Sequence, residues 1–365
     1  MSDQINKYKI CIVSDQLATG GAERCAALLS VFFENNNCKV HHVVVVDKIE
    51  YEFAGEVLNL GKLKDDSNGF FNRLKRFRVL RNFFATNSFD YIIDFRVKRF
   101  QIQEFIIAKY IYKAPLIVTI HNYMTELYFP KNSYLSNSIY KNVKLIAVSN
   151  LITEKIKNGF SYKDVTTIYN PISIDYFEQK ANENLVLNYQ YIVAIGRFTK
   201  IKQFDIIISA YNNSNFKNKN IKLLLLGDGD ERESLKKIII DYQMEKDIIL
   251  LGFQDNPYMY MKNALFLVMA SKFEGFPMVL IESLACGTPV VSFDCPSGPS
   301  EIIINNENGI LVENQNFDEL TKAMNLMVNN KELYLHCKQN AKSSVQRFSI
   351  EKIGNQWLEL MKIKK

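Results

Sequence analysis

The chain writes one pattern twice: short apolar runs of strand length alternate with helix-like segments, and each round opens on a run that ends in a glycine turn. In the first round the runs are "KYKICIVS" (7–14), "VHHVVVVD" (40–47), "FDYIIDF" (89–95), "PLIVTIH" (115–121), "VKLIAVS" (143–149) and "VTTIYN" (165–170). The second gives "YIVAIGR" (191–197), "IKLLLLGDG" (221–229), "IILLGF" (248–253), "ALFLVMAS" (264–271) and "PVVSFD" (289–294). Runs that are apolar throughout suit strands covered on both faces, so each round predicts a parallel sheet wrapped by helices. Between them "NPISIDYFEQKANENLVLNYQ" is polar, opens on Asn-Pro and reads as a linker. The expectation is an α/β protein of two Rossmann-like lobes facing across a cleft, with ligands beyond the carboxyl ends of the strands.

At 365 residues the chain exceeds what one core usually serves. A 47% hydrophobic content with 23% charged residues is that of a globular protein. No apolar run reaches the ~18 residues of a membrane span. The polar start "MSDQINKYKI" is not expected to be a leader, which points to the cytoplasm. Six cysteines without CxxC spacing read as reduced core thiols, so zinc is not expected.

The net charge is +6, and 24 Lys+Arg against 19 Asp+Glu fall in residues 1–185. The excess is local: "GFFNRLKRFRVLRNFF" (69–84) has five bases and no acid, with Phe70, Leu74, Phe77 and Phe84 at helical spacing. Two readings stay open, a core-facing stripe with a solvated basic back, or a helix lying on an anionic membrane surface. Nucleic acid is not among the expected partners.

The polar signals gather at strand ends. Gly20 and Gly21 open a helix near Ala22, where backbone can approach a phosphate, although a plain turn explains them as well. His121 ends "PLIVTIH", a packed polar residue or a partner for a sugar hydroxyl. Arg197 and Lys202 follow the first strand of the second round, close enough in sequence to meet one diphosphate, or else to form a solvated basic loop. "GDGDERE" reads as a helix cap through Asp228 and Asp230 rather than a metal motif, and Phe253 ends the next strand, where it can face a base. Most specific is "FEGFPMVLIESLACGTPV", with Glu274 before and Glu282 within a helix that Pro277 begins. Gly275 and Phe276 make the turn, and the N–H groups of Met278, Val279 and Leu280 form an anion site. A ligand with phosphates for those N–H groups and hydroxyls for two carboxylates is a nucleotide sugar.

From "GGAER" through "IGRFTKIKQFD", "LLGDGDERESL" and "LLGF" to "EGFPMVLIESLACGTPVV" and a closing region with Trp357, the sequence resembles the retaining glycosyltransferases of family 4, with their GT-B fold. The resemblance spans nearly the whole chain. It implies an acceptor-binding domain over 1–170, a nucleotide-sugar domain over 171–348, and a helix at 349–365 returning to the first. By motif position it implies that Glu274 contacts sugar hydroxyls, Glu282 the ribose, and Arg197 with Lys202 the diphosphate. The Gly21 region becomes a further phosphate contact, and His121 a sugar or catalytic-pocket residue. The implied enzyme moves a hexose or N-acetylhexosamine, from a UDP-sugar for preference, to a saccharide or lipid-linked saccharide acceptor in surface polysaccharide synthesis. It works by front-face departure, needs no metal or other cofactor, and sits in the cytoplasm or peripherally on the inner membrane face. Alternatives are a phosphorylase or epimerase of the same fold, and a non-catalytic nucleotide-sugar-binding subunit.

Overall fold

The computed structural model describes residues 7–66, 69–130, 132–160, 162 and 164–364; the polar lead over 1–6 lies outside the described residues. The chain divides into two compact units, Met1–Ile172 with Phe348–Lys365, and Ser173–Arg347.

The first unit holds seven parallel strands: β1 (Tyr8–Ser14), β2 (Cys38–Val44), β3 (Glu56–Asn59), β4 (Tyr91–Asp94), β5 (Leu116–Ile120), β6 (Lys144–Ala147) and β7 (Val165–Thr167). Their order is β3-β2-β1-β4-β5-β6-β7, so the direction of winding reverses between β1 and β4. The second holds β8 (Gln190–Ile195), β9 (Ile221–Leu226), β10 (Ile248–Gly252), β11 (Leu267–Met269), β12 (Val290–Phe293) and β13 (Gly309–Val312), in the order β10-β9-β8-β11-β12-β13. Here the reversal falls between β8 and β11. Both are doubly wound Rossmann-like sheets, and such a reversal opens the crevice where ligands settle.

Two strands escaped the sequence reading. β3 is half-exposed with acid at its start, and β13 is four residues long, so neither shows a sustained apolar run. The segment read as a linker is also different in kind: Ile174–Ala181 is a helix that buries Phe177 and Ala181 and packs on the helix Tyr258–Asn263 of the second unit. Its Phe177 and Tyr258 rings lie 4.8 Å apart. Polar residues on its outer face masked the periodicity.

The final helix, Ile350–Leu360, belongs to the first unit and packs on the helix Gly21–Glu34. Ile353, Trp357 and Leu358 join Leu29, Phe32 and Phe33 in one core. Gly354 is required there, since a Cβ would lie 2.4 Å from the buried Phe32 ring. The chain crosses between the units at neighbouring points, because Ile172 donates its N–H to Phe348 and accepts that of Ile350.

The basic helix runs Phe70–Thr86. Phe84 is buried and Phe77 partly so, as a core stripe requires, but Phe70 is exposed and so departs from that stripe. Beyond β4 lies a buried ionic cluster that the sequence reading missed. Asp94 accepts from Arg96 at 2.7 Å and pairs with Lys98, and Arg96 reaches Glu104 at 3.0 Å, all four side chains under one-tenth exposed. Burial alone would raise the Asp94 carboxyl, but Arg96 and Lys98 outweigh it and hold it below the usual carboxylate range. The stabilisation from Asp94 is therefore full above its ordinary pKa and lost as pH falls toward the depressed value. Removing Arg96 leaves two buried carboxylates, Asp94 and Glu104, to share the one cation Lys98. Arg96→Met is expected to lower stability by roughly 3–5 kcal/mol, read as a shift of the urea midpoint at unchanged slope.

Candidate functional site

In the second unit the loops after β8 and β11, the two strands at the reversal, are joined directly. The Lys202 ammonium contacts Glu274 Oε1 at 2.5 Å, Ser271 Oγ donates to the same oxygen at 2.6 Å, and Lys272 N–H donates to the Ile201 carbonyl at 2.8 Å. Two residues chosen separately from the sequence thus meet at the crevice the strand order predicts. Lys202 keeps about three-tenths of its side chain exposed and Glu274 about one-tenth, so the pair is open to solvent on one side.

Glycines set the shape of this edge. A Cβ on Gly227 would come 1.9 Å from the Gly196 carbonyl oxygen, and one on Gly229 2.4 Å from that of Phe198. Phe198 N–H in turn donates to the Asp228 carbonyl, and its ring is fully buried. The "GDG" glycines therefore let the loop after β9 nest against the loop after β8, which holds exposed Arg197 beside buried Phe198. The helix-cap reading of Asp228 and Asp230 fails: the following helix is Arg232–Asp241, its flanking residue is Glu231, and no side chain caps it. Asp228 accepts instead from Gly229 N–H and lies 3.6 Å from Arg232.

The turn at Glu274 is built against a neighbouring loop. Glu274 N–H donates to the Pro296 carbonyl, and Ser297 Oγ donates to that of Gly275 at 2.7 Å. Gly298, at φ 104°, could not carry a Cβ without meeting Pro277 at 2.5 Å. The next helix is Met278–Ala285, with Pro277 one residue ahead of it rather than its first member. Leu280 N–H is taken by the Pro277 carbonyl, so the anion site offers the N–H groups of Met278 and Val279 only. Glu282 lies one turn further on the same face, about 6 Å along the axis, and is partly buried. Phe276 is buried, so its ring packs the turn from inside. Phe253, by contrast, is 67% exposed at the end of β10.

In the first unit the helix Gly21–Glu34 starts at the β1 end, with Gly20 N–H held by the Tyr51 hydroxyl at 3.1 Å. His121 follows β5. Its ring stacks on Phe95 at 5.3 Å, Phe95 stacks on Trp357 at 6.5 Å, and both His121 nitrogens are shielded without a protein partner. Burial pushes its pKa down to about 3, which leaves the imidazole neutral. Burial also raises every cysteine thiol, and all six are free, so none is a nucleophile at neutral pH.

Residues 175–344 match the family model of glycosyl transferases group 1. Over 97% of this chain and 99% of its own length, a Campylobacter jejuni N-acetylgalactosamine-N,N'-diacetylbacillosaminyl-diphospho-undecaprenol 4-alpha-N-acetylgalactosaminyltransferase is 30% identical. The chain belongs to the group 1 glycosyl transferases. This glycosyltransferase is also 24% identical to the Erwinia amylovora amylovoran biosynthesis glycosyltransferase AmsD, over 97% of this chain and 99% of that one. Its fold is GT-B: it matches the crystal structure of Anabaena HepE with UDP-glucose at TM-score 0.78 and 20% identity, covering 97% of this chain and 99% of that one.

Because the His121 ring is neutral and shielded in the folded glycosyltransferase, its proton resonances are expected to stay flat between pH 5 and 8. A midpoint near the ordinary value of ~6.5, assigned by loss of the signal in His121→Asn, would show the stack to be open.

Proposed function

We propose that this glycosyltransferase is a retaining enzyme of family 4 that moves a hexose or N-acetylhexosamine from a UDP-sugar to a saccharide carried on a lipid diphosphate. The observation that carries the reading is the Lys202–Glu274 pair, set beside two N–H groups at a helix N-terminus. That arrangement offers a cation and dipoles to a diphosphate and a carboxylate to hydroxyls. Relatives whose names give N-acetylgalactosaminyl transfer to a diphospho-undecaprenol saccharide, and a HepE structure holding UDP-glucose, support the substrate classes.

In this reading the diphosphate draws Lys202 away from Glu274 as the donor arrives. Arg197 and Lys202 then neutralise the charge that builds as the sugar–phosphate bond breaks, with the N–H groups of Met278 and Val279 behind them. Glu274, released, accepts from hydroxyls of the transferred sugar. Glu282 accepts from the ribose diol, and Phe253 faces the base. The departing diphosphate oxygen takes the proton of the acceptor hydroxyl as that oxygen bonds to the anomeric carbon from the same face, so configuration is retained. Charge is met by side chains and dipoles, and no metal is required. In the first unit Gly20 and Gly21 leave room for sugar or phosphate at the start of the helix Gly21–Glu34, and His121, its nitrogens shielded, reaches a sugar hydroxyl only when its stack on Phe95 opens. The exposed bases of Phe70–Thr86 suit an anionic membrane surface on which a lipid-linked acceptor lies. No helix among the described residues is long and apolar enough to cross a membrane, which fits peripheral attachment at the inner face.

A screen of UDP-, GDP- and ADP-sugars in excess EDTA tests the donor and the metal together. Slow hydrolysis of a UDP-sugar is expected; activity that appears only with added Mg²⁺ or Mn²⁺ would overturn metal independence. Within that assay Glu282→Ala is expected to weaken donor binding by roughly 1.5–3 kcal/mol, whereas Lys202→Ala lowers kcat by about 10²–10³. Wild-type kcat in Lys202→Ala would remove it from the clamp.

A further inference from the structure

Two helices of the first unit carry apolar side chains on their outward as well as their inward faces. In the helix Gln101–Ile106 and its wider final turn Ile107–Ile111, the inward face carries Glu104, locked into the ionic cluster by Arg96, together with Ile107 and Ile111. The outward face carries Ile102, Ile106 and Tyr110, spaced four apart on one stripe. Ile102 is 73% and Tyr110 65% exposed, and Phe100, just before the helix, is 66% exposed. An amphipathic helix normally keeps its outward face polar, since each exposed apolar side chain forgoes burial worth about 1.5–3 kcal/mol.

The same exposure recurs at the start of Phe70–Thr86. Asn72 is buried there and donates to the Leu63 carbonyl at 2.8 Å, while Phe70 and Phe71 stand 74% and 84% exposed. The two elements touch at their C-terminal ends, where Phe84 of the basic helix packs on Tyr112 at 4.9 Å. Charge completes the surface. Between residues 95 and 113 the one acid is the buried Glu104, and Arg99, Lys109 and Lys113 are exposed; Arg73, Lys75, Arg78 and Arg81 are exposed on the neighbour, which has no acid at all.

We infer that the segment 100–110 inserts its side chains into the interfacial zone of an anionic lipid bilayer, with the bases of the helix Phe70–Thr86 attracted to the same headgroups. Apolar stems flanked by bases and free of acid match a surface that is apolar below and negative at the headgroups. A rim of bases without acids is complementary to a uniformly negative surface, as anionic headgroups provide. The buried cluster is what makes the arrangement tolerable: Glu104, held by Arg96, anchors the helix from within, so its apolar stripe is free to face outward. The inference deepens the membrane reading given above, adding an apolar component to the attraction of the basic helix. The two components separate by salt, which screens the charges and leaves insertion in place.

The test is co-sedimentation with vesicles of phosphatidylcholine plus phosphatidylglycerol, against phosphatidylcholine alone, for wild type and the double variant Ile102→Ser, Tyr110→Ser. Wild type is expected to bind the anionic vesicles and keep part of that binding at high salt. The double variant should lose at least about tenfold in partitioning, equivalent to about 1.4 kcal/mol, and all of the salt-resistant part, with an unchanged circular dichroism spectrum. Its UDP-sugar hydrolysis in solution should equal wild type, so failure of the donor reading, which would silence both proteins, is distinguished from failure here. Equal vesicle binding by the folded variant overturns the inference. So does a wild-type dimer in light scattering that the double variant abolishes, which would assign the stripe to a second copy of the chain.

Discussion

Parallel pairing forces every strand of a sheet to finish on the same edge, and the candidate site of this protein depends on that constraint. Lys202 and Glu274 are 72 residues apart in sequence, yet each follows a strand that ends beside the other at the reversal of winding. No local sequence signal brings them together; the order β9-β8-β11-β12 does. The glycines at 227 and 229 then bring the loops past β8 and β9 close enough to act as one surface. A bulky residue at either point would separate the loops before it disturbed the sheet.

Much of this was legible beforehand. Buried parallel strands are apolar throughout, so β1, β5, β8 and β9 announce themselves, and "EGFPMVLIE" carries its turn, its helix start and both carboxylates within nine residues. What stayed hidden was hidden for physical reasons. β3 is half-exposed, β13 is a brief apolar run set among polar residues, and the helix Ile174–Ala181 buries so narrow a face that its composition looks like loop. The occupied Leu280 N–H follows from Pro277 standing outside the helix, a matter of one backbone angle. The ionic cluster had a signal in "DFRVKRF", where acid and bases alternate straight after a strand. Its burial depends on a helix that begins seven residues after Asp94 and could not be inferred from charge alone.

The two units also spend polarity differently. In the second, charge is kept at a solvent-facing edge, where Lys202 and Glu274 can exchange partners at little cost in desolvation. In the first, four charges are sealed beneath the surface and the apolar side chains stand outside, which rigidifies the segment after β4 and spares Asp94 and Glu104 for structure. Neutral His121, stacked through Phe95 on Trp357, is likewise held by packing rather than by ionic partners.

That stack gives the chain a particular order of assembly. The second unit is continuous in sequence, so all of its strands and helices are available once residue 347 has been synthesised. The first is not: the seam that Leu29, Phe32 and Phe33 share with Ile353, Trp357 and Leu358 stays open until those residues leave the ribosome. During synthesis, which runs at about 5–20 residues per second, the earlier-made half therefore waits with an open apolar seam while the later-made half can close. The helix Ile350–Leu360 is the keystone of the first unit, and a chain that stops before residue 350 leaves the helix Gly21–Glu34 without its lid.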